Sequence, residues 1–458
     1  MTGYWLLLPE YLLAAAALVA LFGDMLPGGQ RTTARIGAFA AALACVVAFA
    51  IGTAEPLFNG ALAFDAISVF ARVVLTALTA VYLLWVSARG MSPERSQEAV
   101  ALVLLSVTGG MLMVGARDLI SLYISLELST MPAYVLVGYR RDDQRSLEGA
   151  LKYYLLSVTT SLMMLYGFSF LFGITGTTAL TGLDLSGSGT LGILAAVLSF
   201  VGLFAKLSAA PFHYWAPDAY SGAPAASTAM VSTLPKIAGI VAVTRLASAL
   251  MPSVPSLWAL FAAVSVVSML LGNLAAYPQD DIRRLMAYSG VAHTGYALLA
   301  VATGSISGLA AAVFYMVAYA VPSMAILLIA AEEGCTLSEL GGLVLRRPAL
   351  AWTGALLLLS LVGIPPMLGF FGKLYLFSAA LDAGYVTLSV IAVTMSVVSA
   401  GYYFRVMKAI FFADQPEGTL TRTAPSAVAG VAIGLLAAAT LGLGIFSSAI
   451  LGFIGLGF

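Results

Sequence analysis

The chain has 458 residues, of which 61% are hydrophobic and 9% charged, with a mean hydropathy of +1.00. Lys plus Arg and Asp plus Glu each number 21, so the net charge is zero and no basic patch points to nucleic acid. Soluble domains carry about a quarter charged residues, so the composition excludes a soluble enzyme or binding module and indicates a polytopic membrane protein.

Apolar runs of about 20 residues recur, each long enough to cross a bilayer as a helix. The runs predict fourteen spans, near 4–26, 33–53, 63–87, 97–116, 118–138, 147–175, 190–213, 225–250, 257–277, 284–303, 306–331, 349–380, 384–412 and 424–448. The expected fold class is an all-α polytopic membrane protein. Strand alternation is absent, which argues against a barrel. The start, MTGYWLLLPEYLL, lacks a basic region and carries Glu10, so it is expected to be a retained first span. Cys45 and Cys335 are far apart and form no CxxC pattern, so they build no zinc or iron–sulfur site alone.

Loop charges test the count. Arg31 and Arg35 follow span 1, Arg89 and Arg95 span 3, and Arg140, Arg141 and Arg145 span 5. Arg283 and Arg284 follow span 9, Arg346 and Arg347 span 11, and Lys408 and Arg422 flank the loop after span 13. Loops after spans 2, 6, 8, 10 and 12 carry almost no basic residue, and only Arg117 follows span 4. By the positive-inside rule both termini are expected on the non-cytoplasmic side.

Two spans carry similar interruptions. Span 7 ends AKLSAAPFHYWAPDAYSGAP, with Lys206 before Pro211, and span 12 contains SLVGIPPMLGFFGK, with Pro365 and Pro366 before Lys373. Proline removes a helical hydrogen bond and clashes with the preceding turn. Breaks at matching places suggest repeats with discontinuous helices near a binding site. Five spans per unit inverts the second unit relative to the first. The expected division is 1–96 (helices 1–3), 97–250 (first repeat, helices 4–8), 251–413 (second repeat, helices 9–13) and 414–458 (helix 14).

Of five lysines, Lys206, Lys236 and Lys373 lie inside apolar segments, and Lys152 enters one near its start. Glu127 sits in the middle of LISLYISLELSTMPAYVLVGY. An ionised group at mid-bilayer costs several kcal/mol or more, so such residues face a protein interior or water and do work there. Burial and a nearby carboxylate act oppositely on lysine's hold on its proton, which suits a relay. One Lys–Glu pair equally fits a static lock on helix packing. Four lysines with one carboxylate cannot all be neutralised that way, which favours transport. Pro235 loosens the helix before Lys236. Lys152 also fits snorkelling to the interface, and Lys408 reads as an interfacial anchor. His293, among Ser289, Thr294 and Tyr296, is a mid-span proton-shuttle candidate or a satisfied buried polar group. His213 and His293 are far apart in sequence, which argues against a metal site, and no motif supports haem ligation by the pair. No Walker A loop, GxGxxG, nucleophile elbow or HExxH occurs, so energy must come from an ion gradient or a partner.

Together, AKLSAAPFHYWAPDAYSGAPAASTAMVSTLPKIAG, DIRRLMAYSGVAHTGY, GIPPMLGFFGKLYLF and LEGALKYYLLS resemble the subunit N family of bacterial NADH–quinone oxidoreductase, respiratory complex I. The resemblance runs from span 1 to span 13. M- and L-type sisters tend to carry PDAHxEAP where this chain reads PDAYSGAP from Pro217 to Pro224, and the M-type tends to carry Glu at the position of Lys373. The chain also stops soon after span 14, where L-type subunits continue into a lateral helix. The resemblance implies fourteen helices with two inverted five-helix repeats. It implies a proton path through Glu127, Lys206, Lys236, His293 and Lys373. Arg283 stands where the family tends to have lysine, which keeps the charge, and Met131 with Pro132 is a less usual pair after Glu127.

The resemblance further implies a proton-translocating subunit without a redox cofactor of its own. NADH, or another reduced carrier, and quinone would be used elsewhere in the complex. Expected partners are M-type and K/A/J-type membrane subunits, the lipid bilayer and, indirectly, a hydrophilic iron–sulfur and flavin arm. The expected location is the bacterial inner membrane. Alternatives are an Mrp-type cation/proton antiporter subunit, the membrane subunit of a related hydrogenase or ferredoxin-linked complex, or a structural subunit whose charges only lock helices together.

Overall fold

The computed structural model describes residues 3–25, 29–91, 96–414 and 426–457. Among them, thirteen helices are long and apolar enough to cross a membrane. They are span 1 (Tyr4–Leu21), span 2 (Arg31–Ile51), span 3 (Ala66–Arg89), span 4 (Gln97–Gly115), span 5 (Leu119–Val137), span 6 (Gln144–Thr175) and span 7 (Gly189–Lys206). Then come span 8 (Ala225–Leu250), span 9 (Leu257–Ala276), span 10 (Ile282–Ala302), span 11 (Ile306–Glu333), span 13 (Val386–Phe412) and span 14 (Ala427–Ile445). Span 12 is split into Pro348–Val362 and Leu368–Asp382, each too short to cross alone. Arg95 and Arg422, two of the loop cations, lie outside the described residues.

Three details add to the sequence reading. Span 8 is also interrupted: one helix ends at Val231 and the next starts at Leu234, with Pro235 in its first turn. Pro132 does not break span 5, which stays helical from Leu119 to Val137. A small antiparallel hairpin, β1 (Ala54–Leu57) and β2 (Leu62–Phe64), closes the loop after span 2, too short to show as alternation.

Loop contacts confirm the parity of the count. Leu62, Ala116, Asp118 and Ala179, in loops after spans 2, 4 and 6, form β-bridges at one end. Asp281 and Thr336, in loops after spans 9 and 11, bridge to each other, and Arg89 at the end of span 3 pairs with Glu332 at the end of span 11. Gly3 packs on Leu57 and Gly457 on Ile67, so both ends of the described chain share the even-loop end. That is the end poor in basic residues.

Spans 8, 10 and 11 are buried along nearly their whole length, whereas spans 6, 13 and 14 show one broad apolar side outward. The inner spans are rich in Ala and Gly, which lets helices approach closely where no hydrophobic force drives them together. Neighbour relations recur along the chain. Span 4 packs on 5 and 8, span 5 on 6, 6 on 7, and 7 on 8. Likewise span 9 packs on 10 and 13, span 10 on 11, 11 on both halves of 12, and both halves on 13.

Candidate functional site

Span 7 ends at Lys206 because the chain turns away at Ser208, in the left-handed region, and Pro211 follows. The freed backbone groups find side-chain partners. Trp215 Nε1 donates to the Ala205 carbonyl at 2.9 Å, Thr294 Oγ1 to that of Leu207 at 2.7 Å, and the Ala210 N–H to Ser268 Oγ at 2.9 Å. Irregular backbone inside a membrane protein persists only when satisfied in this way. Lys206 is 5% exposed, and its Nζ donates to Thr130 Oγ1 at 2.6 Å and Ser129 Oγ at 3.5 Å. Both hydroxyls are on span 5, within one turn of Glu127. Among the described residues no ion pair joins Lys206 to Glu127.

Glu127 sits midway along span 5 and is half-buried. Its Oε1 is buried without a hydrogen-bond partner among the described residues. Ile120, Ile124, Met131 and Val135, at helical spacing around it, are exposed side chains. The carboxylate therefore borders the outward stripe of its helix.

Lys236 lies just inside the second segment of span 8, 1% exposed. Its Nζ has no hydrogen-bond partner among the described residues and lies 5.6 Å from the centroid of the Tyr319 ring. This is cation–π range. His293, 2% exposed, comes next along span 10. Its Nδ1 is 2.8 Å from the Tyr315 hydroxyl and its Nε2 3.1 Å from the Tyr403 hydroxyl, which in turn lies 2.5 Å from Ser289 Oγ. A neutral imidazole needs one donor and one acceptor, and hydroxyls supply either, so both tautomers are accommodated.

Lys373 is 5% exposed and lies on the second half of span 12. Its side chain reaches back across the break. Nζ donates to the carbonyls of Leu361 and Val362 at 3.0 and 2.8 Å, and to Ser396 Oγ at 2.8 Å. Those carbonyls end the helix Pro348–Val362, which carries the negative end of its dipole there. The Tyr296 ring, one turn beyond His293, lies 5.7 Å from Nζ. Span 10 is thus the spine of the site, with Lys236 near Gly290, then His293, then Lys373 over Tyr296.

The family model described as NADH:quinone oxidoreductase/Mrp antiporter, TM, matches residues 116–399. NADH-quinone oxidoreductase subunit N of Jannaschia sp. (strain CCS1) is 37% identical over 432 residues, 91% of this chain and 89% of the relative. The chain belongs to the subunit N family of NADH-quinone oxidoreductases. A chain of respiratory complex I from Thermus thermophilus is 31% identical with a TM-score of 0.84, covering 98% of this chain and 100% of that one. A chain of the Mrp complex from Dietzia sp. DQ12-45-1b superposes with a TM-score of 0.87 over 100% of this chain and 97% of its own, at 23% identity, a likeness of fold alone.

Within this member of the subunit N family, Lys152 stands apart from the buried row. It is 44% exposed at the side chain and pairs with Glu148 at 2.6 Å and Asp218 at 2.7 Å, the latter shared with Arg284 at 2.7 Å. Lys408 is exposed. His213 is buried, its ring tilted against that of Tyr214 with centroids 4.4 Å apart. Among the described residues no group of three or more His, Cys, Asp or Glu is placed to hold a metal.

Sequence reasoning overlooks two sets of residues. Tyr315, Tyr319 and Tyr403 hold His293 and Lys236, but nothing separates them in sequence from the other tyrosines. Arg72 and Arg245, by contrast, carry the same signal as the lysines, a cation within an apolar run. Arg72 Nε pairs with Glu10 Oε1 at 2.9 Å. Arg245 grips Asp65 with both terminal guanidinium nitrogens, at 2.6 and 2.9 Å, and Arg117 adds a third contact at 3.0 Å. At the opposite end, Glu332 pairs with Arg89 at 2.9 Å and Arg347 at 3.0 Å, and accepts from Trp85 Nε1 at 3.0 Å. Glu333 pairs with Arg347 at 2.8 Å and Arg346 at 3.2 Å.

Proposed function

We propose that the chain is the proton-translocating, antiporter-like subunit of the membrane arm of a redox-driven NADH–quinone oxidoreductase, moving protons along Glu127, Lys206, Lys236, His293 and Lys373. The observation that carries this reading is the buried row itself. Three lysines and a histidine lie in the core, held by hydroxyls, carbonyls and aromatic rings rather than by carboxylates. Neutral partners tolerate lysine with or without its proton, whereas a tight ion pair would hold it in one state.

Electron transfer elsewhere would shift the charge near one end, and the row would respond in sequence. NADH, or another reduced carrier, and quinone belong to other subunits. Glu127 supports a protein neighbour on span 5, because a mid-membrane carboxylate bordering an outward stripe does not face lipid. M-type and K/A/J-type subunits are the proposed neighbours, with a hydrophilic iron–sulfur and flavin arm further away. The proposed location is the bacterial inner membrane, with both termini non-cytoplasmic by the positive-inside rule. The proposed units are 1–96, 97–250, 251–413 and 414–458, the middle two related as inverted repeats by their matching neighbour relations and odd span number.

The test is Lys373→Met beside Lys373→Arg, in the purified complex reconstituted in proteoliposomes. Proton uptake is normalised to electron transfer and to assembled complex. Lys373→Met is expected to assemble and lose proton uptake. Lys373→Arg should keep the carbonyl contacts yet fail to restore it, since arginine does not release its proton. Normal pumping by Lys373→Arg, with no assembly of Lys373→Met, would reduce Lys373 to a helix cap.

A further inference from the structure

Gly290 stands one turn before His293 on span 10 and faces Lys236. A methyl group built on it would lie 2.6 Å from Lys236 Nζ and 2.8 Å from the Tyr319 hydroxyl. Both distances are far inside van der Waals contact, so neither atom could stay beside a side chain at this position. Backbone freedom does not explain the glycine, because residue 290 lies within the helix Ile282–Ala302 and does not have a positive φ. Glycine in a helix interior is the poorer choice than alanine. What it provides here is space. Lys236 Nζ is the far end of a flexible side chain, so it is the lysine head that would swing aside rather than the backbone of either helix. Tyr319, which shares the notch, packs on His293 with ring centroids 4.6 Å apart.

We propose that Gly290 is a positioning residue of the proton path. Its missing side chain seats Lys236 Nζ between spans 10 and 11, beside Tyr319 and in line with His293. An alanine at this position moves the lysine off that line without removing any titratable group. The proposal rests on the reading of Lys236 as a proton carrier.

The test compares Gly290→Ala, Lys236→Met and the double variant in the reconstituted complex, measuring protons moved per electron and the amount assembled. Gly290→Ala is expected to assemble and to lose proton uptake as Lys236→Met does, to within about twofold, with no further loss in the double variant. Normal uptake by Gly290→Ala overturns the proposal. So does a loss that adds to that of Lys236→Met, because a general packing defect is indifferent to the lysine. If Gly290→Ala does not assemble, Gly290→Ala with Lys236→Ala decides. Recovery of assembly shows that the collision is with the lysine, and no recovery overturns the proposal. Normal pumping by Lys236→Met would instead bring down the relay reading itself.

Discussion

The middle of this molecule and its rims use charge in opposite ways. In the middle the cations are lysines, and their partners are Thr130, Ser129, Ser396, two carbonyls and the face of Tyr319. Toward the two ends they are arginines, gripping Asp65, Glu10, Glu332 and Glu333. Arginine stays charged and binds carboxylates with a planar fork, so it locks. Lysine is a point charge that can give up its proton, so it can switch. The contrast supports the proposal that the rims hold the bundle while the middle carries protons.

The largest predicted effect breaks a lock. Arg245→Met leaves Asp65 facing only Arg117 and a helix start, and removing one partner of a buried pair costs about 3–5 kcal/mol. The expected outcome is a large fall in thermal midpoint and in assembled complex, with pumping per assembled complex retained. Loss of pumping at normal stability would make the rim part of the path and erase the contrast.

Next in size is Lys206→Met. Removing a positioned acid–base group costs roughly a hundredfold in the proton-transfer step. Because Lys206 is held by two hydroxyls rather than by an acid, assembly is expected to survive. The readout is proton uptake per electron in proteoliposomes. A variant that fails to assemble would place Lys206 with the locks.

The third prediction uses pH. Burial alone would raise the Asp65 carboxyl, but the charge and hydrogen bonds of Arg245, the Ser68 N–H and the Arg117 charge bring it from 3.8 down to about 2. A depressed carboxylate stabilises the fold above its unfolded value and stops doing so as pH falls through its folded one. The contribution, about 2 kcal/mol, should be lost between pH 3.8 and about 2. Stability of Asp65→Asn should be lower at neutral pH and flatter over that window. Parallel curves for the two proteins would refute the assignment.

The smallest effect is expected at Lys152. Its pairs with Glu148 and Asp218 are exposed, and such pairs contribute about 0–1 kcal/mol. Lys152→Met should change stability little and pumping not at all. A clear pumping defect would move it into the row.

Much of this was legible in the sequence. Length and apolarity of each run decide whether it spans a bilayer, because unsatisfied backbone in lipid leaves helices as the answer. Charges within apolar runs are costly enough to be read as functional candidates, and that signal picks out Glu127, Lys206, Lys236, His293 and Lys373. Prolines located the breaks at spans 7 and 12 because they remove a hydrogen bond wherever they sit inside a helix, and Pro235 marked the place where span 8 is interrupted. Pro132 shows the limit of that rule, since span 5 continues through it. Partner identity was settled only by the tertiary structure. The hydrogen bonds of Lys206 go to Thr130 and Ser129, within a turn of Glu127 on the same helix. Lys373 turned back to cap the half-helix before its own, and Lys236 came to rest in the notch at Gly290. One-dimensional periodicity states which residues share a helix face, but not which residue of a distant helix lies across from them. That depends on how close two helices approach and where a broken one ends, and here it is set by contacts between residues dozens of positions apart.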